Sequence, residues 1–80
     1  MKILVVDDNA ENIFLLDTWL KENGYEVVST ANGAEALDKL HTEEFGLIIS
    51  DILMPVMDGF QLCKKVNSDD KLNSIPFVFC

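Results

Sequence analysis

Two short apolar runs, each stopped by aspartate, constrain this chain more than any other feature. Ile3 to Val6 is an unbroken stretch of β-branched residues and leucine that ends at Asp7-Asp8. Leu47 to Ile49 repeats the pattern and, after Ser50, ends at Asp51. A run without polar alternation suits a strand buried on both faces, as parallel strands are. An acid just past such a strand sits at its carboxyl end, which in open parallel sheets is the rim where ligands bind.

Between and beyond these runs the hydrophobic period changes. Ile13, Leu16 and Leu20 fall at i, i+3 and i+7, with Phe14, Leu15 and Trp19 widening the stripe. Asn9 is a suitable N-cap and Gly24 a suitable stop, so a helix is predicted there, with Phe14 and Trp19 read as core residues. Tyr25 to Ala31 mixes Val27 and Val28 with polar residues and reads as an edge strand. Asn32-Gly33-Ala34-Glu35 has the form of a helix N-terminus with glutamate at the third helical position. Ala36, Leu37 and Leu40 follow as a buried stripe in a helix expected to end near Glu44. After a loop containing Pro55, Asp58 and Gly59 open a third helix whose apolar positions are read as Phe60, Cys63 and Val66. Asn67 to Ser74 reads as one polar loop, and Ile75 to Cys80 as a fourth strand. The order β-α-β-α-β-α-β implies right-handed crossovers, a mainly parallel sheet and helices on both of its faces.

Composition narrows the function. The chain has 80 residues, enough for one domain and no more, and fewer than the ~100–200 usual for a domain. Six basic against 14 acidic side chains give a net charge of -8, which excludes a polyanion-binding module for nucleic acid or anionic lipid. An apolar fraction of 49% argues for a packed core instead of disorder. No apolar run approaches a membrane span or a signal-peptide core, so a cytoplasmic protein is expected. Cys63 and Cys80, far apart and outside any CxxC pair, read as buried reduced thiols. No internal repeat or low-complexity tract is present.

The acids carry the chemistry. Asp7, Asp8 and Asp51 would be delivered by two strands to one rim, where three carboxylates repel one another unless a cation neutralises them. A hard divalent ion such as Mg²⁺ suits an all-oxygen site, and no nearby histidine or cysteine favours zinc. An aspartate beside such an ion is placed to act as a nucleophile toward phosphorus. A hydrolase using an aspartyl nucleophile is discounted, because Asp7-Asp8-Asn9 lacks a second acid two residues on.

The pattern ILVVDDN, then LIISDILMPVMDGF with Asp58-Gly59 opening a helix, resembles the receiver domain of two-component response regulators along the whole chain. The resemblance implies a flavodoxin-like fold of five βα units with strand order 2-1-3-4-5, and Asp51 as phosphoacceptor. It also implies Mg²⁺ bound by Asp8 directly, by Asp7 through water, by Asp51 and by the Leu53 backbone carbonyl. Met54 and Pro55 shape the loop. The phosphodonor is expected to be a histidine kinase or phosphotransfer protein, and the domain a signalling module without enzymatic activity beyond its own phosphorylation and dephosphorylation. Residues 1–80 supply three units and a fourth strand, so a truncated receiver is expected. The family's switch Ser or Thr falls just after Cys80, its lysine at the end of the fifth strand is missing, and Lys64, Lys65 and Lys71 are not placed to replace it.

Other residues take plainer roles. His41, late in an amphipathic helix, reads as a solvated residue and not a phosphodonor. Asp58 reads as a helix cap. Glu43-Glu44 and Asp69-Asp70 read as solvated charge. Phe77 to Cys80 would be an apolar sheet edge beside uncovered helix faces, so a homo-oligomer through these surfaces is expected. Two functional classes follow: a phosphoacceptor module, or a receiver fragment that folds by oligomerisation and does not signal.

Overall fold

In a computed structural model, which describes residues 1–79, β1 (Lys2–Val6), α1 (Ala10–Glu22), β2 (Glu26–Thr30), α2 (Gly33–Thr42), β3 (Leu47–Ser50), α3 (Gly59–Asn67) and β4 (Phe77–Phe79) alternate along the chain. The strands form one parallel sheet in the order β2-β1-β3-β4, as expected for a flavodoxin-like receiver. In register, Val5 faces Ser29 on one side and Ile49 on the other, so β1 is central and β2, with Glu26 and Ser29 exposed, lies at an edge. Cys80, the expected end of the fourth strand, lies outside the described residues.

Because successive strand residues point to opposite faces, β1 feeds two cores. Leu4 and Val6 join Ile48, Ala36, Leu40, Leu62, Val66 and Leu72 beneath α2 and α3, while Ile3 and Val5 meet Leu20 beneath α1. Helices therefore lie on both faces, two on one and one on the other.

The helix starts follow sequence. Asn9 accepts from the backbone N–H groups of Glu11 and Asn12. Asn32 accepts from Glu35 N, and its amide donates to Glu35 Oε2. Asp58 makes a reciprocal capping box with Gln61, each side chain accepting from the other's backbone N–H. Gly24, at φ 87°, takes the left-handed conformation that ends α1 just past its Asn23 cap.

Several side chains differ from expectation. Phe14, Leu15 and Trp19 are 68%, 66% and 60% exposed and are not core residues. The sheet-facing stripe of α1 is Ile13, Leu16 and Leu20. At 100° per residue, the other three project away from it. In α3 the core positions are Leu62 and Val66; Phe60 is exposed and Cys63 half-buried. Residues three apart drift by 60° per step around the helix, so the expected Phe60-Cys63-Val66 line smears across its surface. Phe60 instead packs on Phe79 of β4, with ring centroids 5.2 Å apart. Leu47 and Ile49 are only half-buried, because on their face the one helix lies over Ile3, Val5 and Val27. The fourth strand begins at Phe77, since Ile75 N is taken by a turn to Leu72 O.

Two of the acids read as solvated are engaged. Glu43 accepts from Lys2 Nζ, joining the start of β1 to the end of α2, and lies 3.6 Å from Lys39 Nζ. The hydrogen bond from Lys2 holds its carboxyl below the ordinary range, aided by the charges of both lysines. Asp69 accepts from Lys71 N and lies 3.8 Å from His41 Nε2, which is otherwise open to solvent. Among the described residues no helix is long and apolar enough to cross a membrane.

Candidate functional site

Asp7, Asp8 and Asp51 converge at the carboxyl rim of β1 and β3. Backbone pairing places them there: Asp7 N donates to Thr30 O at 3.0 Å and Asp51 N to Val6 O at 2.9 Å, extending the sheet hydrogen bonds one residue past the strands. One carboxylate oxygen from each residue lies within 4.8 Å of the others. The three differ in burial. Asp7 is 1% exposed, Asp51 half-buried and Asp8 open to solvent, so the site opens on the Asp8 side.

The buried member is held by two donors. Asn9 N gives Asp7 Oδ1 a 2.9 Å bond, and Asn12 Nδ2 gives Oδ2 a 3.3 Å bond. Asn9 thus caps α1 through its side chain and orients Asp7 through its backbone. Asn12 was not marked by any sequence signal. It is one polar position in the first turn of α1, and only the turn from β1 into the helix brings it back over Asp7. Asp51 Oδ1 accepts from Ile52 N at 2.8 Å. Its backbone is fixed by Ser50 Oγ, which donates to Asp51 O at 2.8 Å, and by the closeness of Gly59. A Cβ at Gly59 would stand 2.2 Å from Asp51 O.

Leu53 lies in the bend after Asp51. Its side chain is 80% exposed, and among the described residues its carbonyl accepts no backbone hydrogen bond. Asp58 stands apart from the acid cluster as a helix cap, and His41 is at the far end of α2. None of the ion pairs among the described residues involves Asp7, Asp8 or Asp51. Three oxygen donors of like charge without a basic partner match a hard divalent cation such as Mg²⁺, which takes one or two carboxylates and keeps waters for its remaining positions.

The fold recurs in known proteins. The model of the response regulator receiver domain matches residues 3–80. The alkaline phosphatase synthesis transcriptional regulatory protein PhoP of Bacillus subtilis is 43% identical over 65 residues, 81% of this chain and 27% of its own length. The structure of a chemotaxis response regulator of Vibrio cholerae superimposes with a TM-score of 0.94 at 38% identity, over 98% of this chain and 65% of that one. The receiver domain of a signal transduction histidine kinase from Syntrophus aciditrophicus gives a TM-score of 0.95 at 38% identity, over 98% of this chain and 59% of that one. The chain thus spans about a quarter of the Bacillus regulator and less than two thirds of the two solved chains. With its acid-tipped parallel sheet and a family match from Ile3 onward, the chain belongs to the response regulator receiver domain family, the phosphoacceptor modules of two-component signalling.

Proposed function

We propose that Asp51 of this chain takes a phosphoryl group from a phosphohistidine of a histidine kinase or phosphotransfer protein. The observation that carries this is the placement of three carboxylates within 4.8 Å at the rim of a receiver sheet, with no ion pair to neutralise them among the described residues. Asp7, Asp8, Asp51 and the Leu53 carbonyl would hold Mg²⁺. A cation held there supplies positive charge to the phosphoryl oxygens as they approach a negatively charged site.

The protein's own groups do the rest. Asp51 Oδ1 is occupied by Ile52 N, which leaves Oδ2 as the freer nucleophile. As the new O–P bond forms, the P–N bond of the donor breaks and its electron pair returns to the imidazole. Asp7, buried and fixed by Asn9 and Asn12, keeps its position without solvent reorganisation. Incubation with Mg²⁺ and a small phosphodonor such as acetyl phosphate, followed by intact mass measurement, is expected to show one phosphoryl adduct. Chelation of the metal or Asp51→Asn is expected to remove it. An adduct that persists in Asp51→Asn would sink the site assignment.

A second property is favoured by the exposed apolar surface. Phe60, Val78 and Phe79 are exposed along the β4 edge, and Phe14, Leu15 and Trp19 on α1, whereas the β2 edge carries Glu26. Exposed apolar side chains clustered in this way favour association with another copy, so self-association is expected. Light scattering at micromolar concentration should give a mass above that of one chain, and Val78→Lys should lower it. A monomeric mass for the unaltered chain would rule this out.

A further inference from the structure

Among the described residues, Val56 alone of the non-glycine residues has positive φ, at 69°. A β-branched side chain is strained in that region. Across it, Met57 N donates to Pro55 O at 2.7 Å, closing a three-residue turn of the rarer, strained hand. Val56 is 82% exposed, so its own packing does not compensate. The turn must be held by its neighbours.

Those neighbours are clear. On one side, the Pro55 ring restricts the backbone entering the turn. On the other, Gly33 N, at the start of α2, donates to Met57 O at 3.3 Å. Gly33 is buried, and a Cβ there would lie 2.9 Å from the Met57 Cβ, Cγ and carbonyl oxygen. Only glycine allows so close an approach. Downstream, Gly59 N returns to Ile52 O at 2.8 Å, so residues 52–59 form a closed loop. Asp51 is at its base, Leu53 on its rising limb, and Met57 where α2 grips it.

We propose that Gly33 is a positioning residue for Asp51: by seating Met57 against the start of α2, it holds the strained β3–α3 loop and hence the orientation of Asp51 and the Leu53 carbonyl. This rests on the reading of Asp51 as phosphoacceptor and adds a control point on α2, outside the acid cluster. The N-terminus of α2 becomes a lever on the acceptor loop, and movement of that helix changes phosphoryl uptake.

The test begins with metal-free protein and no donor. In Gly33→Ala, hydrogen exchange of amides 52–59 is expected to accelerate about tenfold while β1 and α1 keep their protection. Met57→Ala, which removes side-chain contact without adding a clash, is the companion variant and should act in the same direction. Phosphoryl uptake from acetyl phosphate should slow in both. Leu20→Ala, which weakens the core under α1 on the opposite face of the sheet, should leave uptake by the folded protein unchanged. Unaltered loop exchange in both variants overturns the proposal, as does acceleration spread evenly over β1, α1 and the loop. Faster loop exchange with unaltered uptake overturns the positioning role. If the wild-type chain takes up no phosphoryl group, the acceptor reading fails, and the exchange experiment still decides whether α2 holds the loop.

Discussion

Gly59→Ala is expected to cost about 3 kcal/mol or more, at or beyond the upper end of ordinary overpacking. The added Cβ would stand 2.2 Å from Asp51 O and 3.0 Å from Ile52 Cα, both backbone atoms held by the sheet and the loop. Neither can swing aside as a flexible side chain would. Moving α3 away would break the 2.8 Å bond from Gly59 N to Ile52 O and lift Leu62 and Val66 from the core. Alanine's better helix propensity returns at most about 1 kcal/mol, so the clash dominates. A domain of 80 residues has about 4–12 kcal/mol of stability in all, and the variant should lose a large part of it. Urea denaturation followed by circular dichroism reads the shift directly. A midpoint equal to that of the unaltered chain would show that the contact between α3 and the acceptor strand is looser than these distances require.

Asp8→Asn is expected to act in opposite directions with and without magnesium. Without metal, the carboxylate of Asp8 lies within 4.8 Å of those of Asp7 and Asp51 and forms no ion pair among the described residues. Because Asp8 faces solvent, the repulsion is near its water-screened limit, about 1 kcal/mol per pair, and it shrinks further with salt. Removing that charge should stabilise the metal-free protein. With Mg²⁺ at about one hundred times its dissociation constant, the unaltered chain should gain about 2.7 kcal/mol by linkage. The variant should lose most of that gain, since it keeps two of the three acids. Paired denaturation curves with Mg²⁺ and with a chelator measure both effects. Equal gains from magnesium in the two proteins would remove Asp8 from the proposed metal ligands.

Much of the architecture is legible because it depends on short-range physics. The caps at Asn9, Asn32 and Asp58 fall where sequence places them, since a cap needs only one side chain and the next turn of backbone. The runs Ile3 to Val6 and Leu47 to Ile49 announce strands, and the polar mixture of Glu26 to Thr30 announces an edge. What local pattern leaves open is which apolar residues are covered. Phe14 and Trp19 are as hydrophobic as any core residue, but burial depends on what lies opposite, and α1 has sheet against only one side. Leu62, buried, and Phe60, exposed, differ for the same reason. Both positions fit an amphipathic helix, and only the packing of α3 on Leu4, Val6 and Ile48 chooses between them.

Sequence alone determined the alternation of strand and helix, the parallel sheet and the three aspartates at strand ends, because each follows from local period and from the rule that strand ends form the rim. Tertiary structure decided what makes those aspartates a site. Asn12 reaches Asp7 only after the chain turns from β1 into α1, and Gly59 meets the Asp51 carbonyl only when α3 docks on β3. Gly33 meets Met57 across 24 residues of chain. Contacts set by how one element turns or docks onto another leave no periodic trace, and so the acids could be read from the chain while Asn12 and the seats of Gly33 and Gly59 could not.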